Sequence, residues 1–277
     1  MTKERFMAGL REQTARGRPI IVAGVGCGLT AGGAAQGGAD LLCAYNTAAY
    51  RIQGLSTALA FLPYDDCNTL AFRIAPEVIA AAGDTPVALG LGAHDPRRNL
   101  SRLVEQAQAL GACGVTNEPF IGMYEGDLRR QMEAAGLGFQ REVELIRTAS
   151  RRNMVTLAYV FTPEEAVIMA DAGADLIGAM VGGVTSGGSA GGAATVSLDQ
   201  AAATVECIID RQIRAGYSTP VLPHGGPLNG PDAVGEILSR TRAMGYVTGS
   251  TGERLPTHQA VQEAISAFKA LEREVSP

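Results

Sequence analysis

The chain has 277 residues, of which 46 % are apolar, with a net charge of −5 and a pI near 5.3. That content supports a large core, and the acidic balance argues against a nucleic-acid surface. No stretch approaches the roughly 20 apolar residues of a membrane span, so no membrane partner is expected.

The opening segment, MTKERFMAGLREQ, reads as an amphipathic helix with Phe6, Met7 and Leu10 on one face. It lacks the apolar core of a signal peptide. Eight times thereafter a helical pattern stops at Gly or Asn and a short apolar strand follows. The stops are Gly17, Gly38, Gly83, Gly111, Asn153, Gly173, Gly216 and Gly245. The strands read Ile20–Val25, Leu41–Tyr45, Val87–Leu91, Gly114–Asn117, Val155–Val160, Asp175–Gly178, Val221–His224 and Tyr246–Ser250. Gly and Asn accept the left-handed conformation that ends a helix. Strands alternating with helices pair in parallel. Eight units in a chain of this length predict one α/β domain over 1–277, a (β/α)8 TIM barrel with an extra N-terminal helix. That helix is expected to plug the barrel bottom or pack beside it. Helix starts agree: Thr162-Pro163-Glu164-Glu165 and Ser197 with Gln200 are capping boxes, and Pro231 opens another helix. In the last helix, Val261, Ile265, Phe268 and Leu271 form a 3–4 stripe.

Such a barrel carries its chemistry at the strand C-terminal ends. Three connections there are long: Asn46 to about Asn68, Glu118 to Gly138, and the glycine-rich Ala179 to Val196. The last reads as a mobile lid, a phosphate nest or a plain surface loop. Five scattered cysteines (Cys27, Cys43, Cys67, Cys113, Cys207) form no CxxC pair, as expected of reduced thiols in a cytoplasmic protein. The two lysines, Lys3 and Lys269, fall in terminal helices, which leaves no strand lysine for a Schiff base and hence no PLP. All three histidines, His94, His224 and His258, fall after a strand or in the helix that follows one.

Strand 1 ends in a glycine cluster in which Gly26 and Gly28 could bring backbone N–H groups to an anion. It matches GxGxxG only in part, and strand 2 lacks the acidic end a dinucleotide wants, so neither NAD nor flavin is expected. Cys27 reads as filler. Strand 2 ends in Tyr45-Asn46, and Arg51 beyond it reads as a carboxylate clamp or a surface arginine. After strand 3 stand His94 and Asp95, the latter a metal ligand or a helix cap before Pro96. Strand 4 ends in Asn117-Glu118, with Glu118 as base or metal ligand. Strand 7 ends in His224-Gly225-Gly226 and strand 8 in Gly249-Ser250. Loops after these two strands commonly bind phosphate. His258, further on, reads as a surface residue.

The stretches AYNTAAYR, LPYDDCN, GLGFQREVELIR, TSGGSAG, HGGP and GERLPT occur in order. Together they resemble the phosphoenolpyruvate hydrolase-like TIM-barrel family, related to the phosphoenolpyruvate mutase and isocitrate lyase superfamily, over about Gly24 to Phe268. The resemblance implies Mg²⁺-assisted enolate chemistry on a small keto acid and homo-oligomers formed through the last helix. It carries over Asn46, Arg51, Asp66, Asn68, Asn117, Thr185, Gly187, Gly188, Ser189, His224, Gly225, Gly226, Glu253 and Arg254. The KKCGH loop of isocitrate lyases is absent, and the superfamily's acidic cluster after strand 3 shrinks to Asp95.

The expectation is therefore an enzyme acting on a small anionic 2-oxo or enol acid, breaking a C–P, P–O or C–C bond. His224, Glu118 and Asn117 would be catalytic. Gly26, Gly28, Asn46, Arg51, Thr185, Ser189, Gly225, Gly226, Gly249, Ser250 and Arg254 would bind substrate. Asp95, Glu118 and His94 would hold a divalent metal, Mg²⁺ ahead of Zn²⁺. Two alternatives stand beside it. One is a Zn²⁺ site of His94, Glu118 and His224 for hydrolytic C–C cleavage of a β-keto compound. The other is a non-catalytic ligand-binding or interaction module, since the same domain occurs in a virus-resistance protein.

Overall fold

The computed structural model describes residues 2–182 and 196–271. Eight parallel strands form one sheet: β1 (Ile20–Val25), β2 (Leu41–Ala44), β3 (Val87–Gly90), β4 (Gly114–Thr116), β5 (Val155–Val160), β6 (Leu176–Met180), β7 (Val221–His224) and β8 (Gly245–Thr248). Neighbours run in chain order from β1 to β7, and β1 also pairs with β8. The Met244 N–H, just before β8, donates to the Val221 carbonyl of β7 over 3.0 Å and draws the last two strands together. The result is a nearly closed (β/α)8 TIM barrel, with every predicted strand present to within about two residues.

Alternation along the strands sorts the core. Ile20 and Val22, Leu41, Cys43 and Tyr45, Val155, Leu157 and Tyr159, Leu176 and Met180 belong to one buried cluster that fills the barrel. The residues between them pack outward against the helices in two further clusters. The first helix, α1 (Lys3–Ala15), sends Phe6 and Leu10 into the barrel cluster. Lys3 binds Asp175 over 2.8 Å and the Met154 carbonyl over 3.1 Å at the strand N-terminal rim. Of the two placements open to α1, it takes the plug.

Seven of the eight expected stops have positive φ, at Gly17, Gly38, Gly83, Gly111, Asn153, Gly173 and Gly216. Gly245 is different. It is the first residue of β8, and any Cβ there would lie 1.9 Å from the Ile20 carbonyl oxygen. Its glycine is required by strand packing, and the preceding helix, Pro231–Arg240, ends earlier at an extended Thr241. The connection after β2 is also more structured than a loop. It holds α2 (Asn46–Ile52), a 3₁₀ turn at Thr57–Phe61, and the start of the next helix at Cys67. The connection after β4 holds a 3₁₀ turn at Ile121–Met123 and a helix at Gly126–Ala134. The last helix, α3 (Arg254–Lys269), leaves Val261, Ile265 and Phe268 exposed, with Leu271 beyond it exposed too. No helix among the described residues is long and apolar enough to cross a membrane.

Candidate active site

At the strand C-terminal end, a small cavity of about 30 Å³ is bordered by Arg51, Glu118, His224, Gly249 and Ser250. Phe61, Phe120, Met123 and Met180 close it from above and beside. The two 3₁₀ turns form this cover: the Tyr124 hydroxyl donates to the Phe61 carbonyl over 2.6 Å, and the Phe61 and Phe120 rings lie 5.5 Å apart.

Arg51 projects from α2 and is only 3 % exposed. Its Nε donates to a carboxylate oxygen of Glu253, a residue just before α3 that is itself buried. Burial works against the guanidinium charge, but Glu253 outweighs it, so Arg51 titrates above the ordinary arginine range. Its Nη2 has no hydrogen-bond partner among the described residues.

Glu118 follows β4 and is 2 % exposed. Burial pushes its carboxyl up to about 7, against the pull of Arg51. Its Oε2 has no partner among the described residues, and neither do the hydroxyls of Tyr45 and Tyr159. A buried polar group without a partner is costly. The Arg51 and Glu118 side chains border the cavity, and their unpartnered atoms mark a place built for a polar ligand or water.

His224 ends β7 with its ring 5.3 Å from that of Tyr159. Its Nδ1 lies 2.8 Å from the Val247 carbonyl, which only an N–H can satisfy. Burial pushes the imidazole down to about 4, against the help of that carbonyl. The ring is therefore neutral at pH 7, and Nε2 carries the lone pair.

Room for these side chains comes from inward-facing glycines. A Cβ on Gly90 would meet Tyr45 Cβ at 2.4 Å, and one on Gly178 would meet the Tyr159 ring at 2.7 Å. Gly249 borders His224 and Arg51, at 3.1 and 3.5 Å from its would-be Cβ.

The structure thus brings together Arg51, Glu118, His224, Gly249 and Ser250 at the cavity. Asn117 faces away from the mouth. Its amide takes the Tyr159 N–H at 2.7 Å and donates to the Tyr159 carbonyl at 3.1 Å and to Glu142 at 2.6 Å, so it clamps β4 to β5 and has no free atom for catalysis. Asn46 donates to the Ala60 carbonyl over 3.3 Å and steadies the first 3₁₀ turn. Gly26 packs on the backbone of α2 at Ala48, and Gly28 faces Glu77 and Ala81 of the Cys67–Ala81 helix; neither borders the cavity. Gly225 and Gly226 take positive φ, and Gly226 packs on Val181 and Gly182. Thr185, Gly187, Gly188 and Ser189 lie outside the described residues, as does most of the glycine-rich connection expected to form a lid or nest.

Asp95 is neither cap nor free ligand. The helix that follows is capped by Asn99, and both Asp95 oxygens are held by Arg97, at 2.9 and 3.1 Å. His94 lies near Cys67 and Pro119 around Gly92, and burial lowers its pKa. Among the described residues no three His, Cys, Asp or Glu side chains form a metal-holding group. Neither Asp95, Glu118 and His94 nor His94, Glu118 and His224, the two sets expected from the sequence, comes together as such a group. A structural Zn²⁺ cage needs about four protein ligands and a catalytic site three. Mg²⁺ asks less, often one or two carboxylates with waters and substrate oxygens. The free Oε2 of Glu118 fits that smaller demand.

Sequence reasoning missed Glu253 as the partner of Arg51, and Tyr45 and Tyr159 as the buried rings packed beside Arg51 and His224. The tyrosines carried a usable signal: each falls in the inward alternation at the end of its strand. For the Arg51–Glu253 pair, 202 residues apart, the sequence alone carried only the resemblance.

Comparison with known proteins agrees with this architecture. A family model for phosphoenolpyruvate hydrolase-like proteins matches residues 5–271. The chain is 37 % identical over 266 residues to the ToMV susceptible protein tm-1(GCR26) of Solanum lycopersicum, covering 96 % of this chain and 35 % of that protein. It is equally similar to the ToMV resistance protein Tm-1(GCR237) of the same plant, with the same coverage. It thus spans about a third of the length of these relatives. Among solved structures it resembles a phosphonopyruvate hydrolase in complex with oxalate and Mg²⁺, with a TM-score of 0.64 at 17 % identity, over 97 % of this chain and 87 % of the other. At that identity the likeness concerns the fold.

Proposed function

This chain belongs to the phosphoenolpyruvate hydrolase-like family, and from that premise we propose that it is a hydrolase or lyase acting on a small anionic 2-oxo or enol acid. One observation carries the reading. A buried guanidinium with an unpartnered nitrogen, Arg51, stands beside a buried carboxyl titrating near neutrality, Glu118, and a neutral imidazole, His224. Perturbed groups gathered in one cleft are the usual mark of an active site.

Arg51 binds the substrate carboxylate, because a guanidinium offers paired donors to two oxygens. Glu253 fixes the guanidinium from behind, so little ordering is left for binding. His224 presents Nε2 as proton acceptor. A bound anion favours the imidazolium and raises its basicity toward working range. Mg²⁺, when bound, would polarise the 2-oxo group and stabilise negative charge on it, with Glu118 as the side chain that holds it. Two guanidiniums, Arg51 and Arg254, balance Glu118 and Glu253 when both carboxyls are ionised, so the divalent cation and a dianionic substrate together add no net charge. The phosphonopyruvate hydrolase of similar fold, with its oxalate and Mg²⁺, supports this choice of metal and substrate class.

The test is turnover. Wild-type protein with Mg²⁺ is offered phosphonopyruvate, phosphoenolpyruvate and oxaloacetate, and release of phosphate, pyruvate or oxalate is followed. Turnover of at least one, lost in Arg51→Met and His224→Ala, is the expected result. Tight oxalate binding without turnover of any would contradict an enzyme and favour a ligand-binding module.

A further inference from the structure

The cavity at the mouth has two unlike sides. Arg51, Glu118 and His224 make one polar. On the cover, Phe61, Phe120, Met123 and Met180 are apolar, and Thr57 is the one polar side chain beside them. The cover is built as a unit. The Phe120 ring lies 5.5 Å from that of Phe61, 5.2 Å from Tyr159 and 5.1 Å from Phe161. Gly122 makes room for Phe161, since a Cβ there would lie 2.1 Å from the ring. Phenylalanine rings and thioethers offer dispersion contacts to a hydrocarbon group and no hydrogen-bond donor to an anion.

Charge is as one-sided as polarity. Among the described residues that border the cavity, Arg51 is the single cation, and it already faces Glu253. His224 is neutral and Glu118 is an acid. The connection beyond Met180 carries no charge in its sequence: residues 183–195 read GVTSGGSAGGAAT. A substrate with its carboxylate on Arg51 therefore brings any second anionic group toward the cover with no cation to meet it. Burying a charge in that way is costly, whereas an apolar group of the same size gains from burial.

Building on the 2-oxo acid reading, we infer that the preferred substrate is a 2-oxo acid whose end remote from the carboxylate is an uncharged aliphatic group, selected by Phe61, Phe120, Met123 and Met180. Negative charge of the reacting species then sits on its carboxylate and its enolate oxygen, both at the polar side. Phosphonopyruvate, phosphoenolpyruvate and oxaloacetate each carry a second anionic group and are accepted less well.

4-Methyl-2-oxopentanoate and phosphonopyruvate are similar in size, one ending in a pair of methyl groups and the other in a phosphonate. Calorimetric titration of both into His224→Ala protein with Mg²⁺, in which ligand is bound but not consumed, tests the preference. Oxalate in the same protein reports whether the polar side is intact. 4-Methyl-2-oxopentanoate should bind at least about tenfold more tightly than phosphonopyruvate. Met123 is half-buried, so Met123→Lys can supply the missing cation within a folded chain, checked by its melting temperature, and should reverse the order. Phosphonopyruvate binding as tightly as the aliphatic acid, or more tightly, with oxalate still bound, would overturn the inference and leave the 2-oxo acid reading standing. So would an order that a folded Met123→Lys leaves unmoved. Failure of oxalate and both acids to bind would overturn the two readings together.

Discussion

Arg51 gathers the chemistry of the mouth because its neighbours leave it charged and fixed while one nitrogen stays free. Removing it strips binding and also leaves Glu253 buried without its counter-charge, a change of about 3–5 kcal/mol. Arg51→Met should therefore lose both oxalate binding and thermal stability. The double variant Arg51→Met, Glu253→Gln should recover stability but not binding, and recovery of binding would remove Arg51 from the site. Glu118 makes a pH prediction. Its folded pKa of about 7 lies above the ordinary glutamate value of about 4.5, so the folded state holds the extra proton between those values. Stability from this group is complete below about 4.5 and is lost as pH rises through 7. Glu118→Gln should raise the melting temperature relative to wild type more at pH 8 than at pH 5, and an equal difference at both would contradict the assignment. Arg51, Glu118 and His224 were legible in sequence because they follow strand ends. Asp95 was not, because Arg97, two residues on, takes both its oxygens.

At the scale of elements, the mouth depends on which strand positions omit a side chain. Gly90 and Gly178 leave the space that Tyr45 and Tyr159 fill. Gly178→Ala should overpack this layer and cost about 1–3 kcal/mol, read as a lower denaturation midpoint; a neutral result would show that the Tyr159 ring can move aside. Asn117 belongs to the same scale. Burial holds the carboxyl of its partner Glu142 up at about 8, against the Ile121 N–H and the Asn117 amide that favour its charge. Asn117→Ala would leave Glu142 short of a donor and unclamp β4 from β5, at about 1–3 kcal/mol. Unfolding monitored in urea checks this, and unchanged stability with lost turnover would return Asn117 to catalysis. The glycine stops and apolar runs made the strands legible. Gly245 looked like another stop, although contact with Ile20 requires it, because sequence cannot separate a glycine chosen for φ from one chosen for closeness.

For the whole molecule, count and order of strands were enough to expect a barrel, since parallel strands with crossovers leave few topologies. What joins one end of the chain to the other was not legible: Arg51 to Glu253, Lys3 to Asp175 and α1 beneath the barrel are long-range contacts without local pattern. The exposed stripe of α3 runs through Val261 and Ile265 to Phe268 and Leu271, 70 % and 74 % exposed, and it is the surface we propose for self-association. Phe268→Glu should reduce the sedimenting mass, and an unchanged monomer before and after would count against it. The claim on which the rest depends is that the mouth receives a small dianion with its carboxylate on Arg51. Calorimetric titration of oxalate in the presence of Mg²⁺, in wild type and Arg51→Met, tests it most directly. Saturable binding is expected in the wild type, tighter as pH rises through about 7 while Glu118 loses its proton, and none in the variant. Equal binding by both proteins, or by neither, would contradict it.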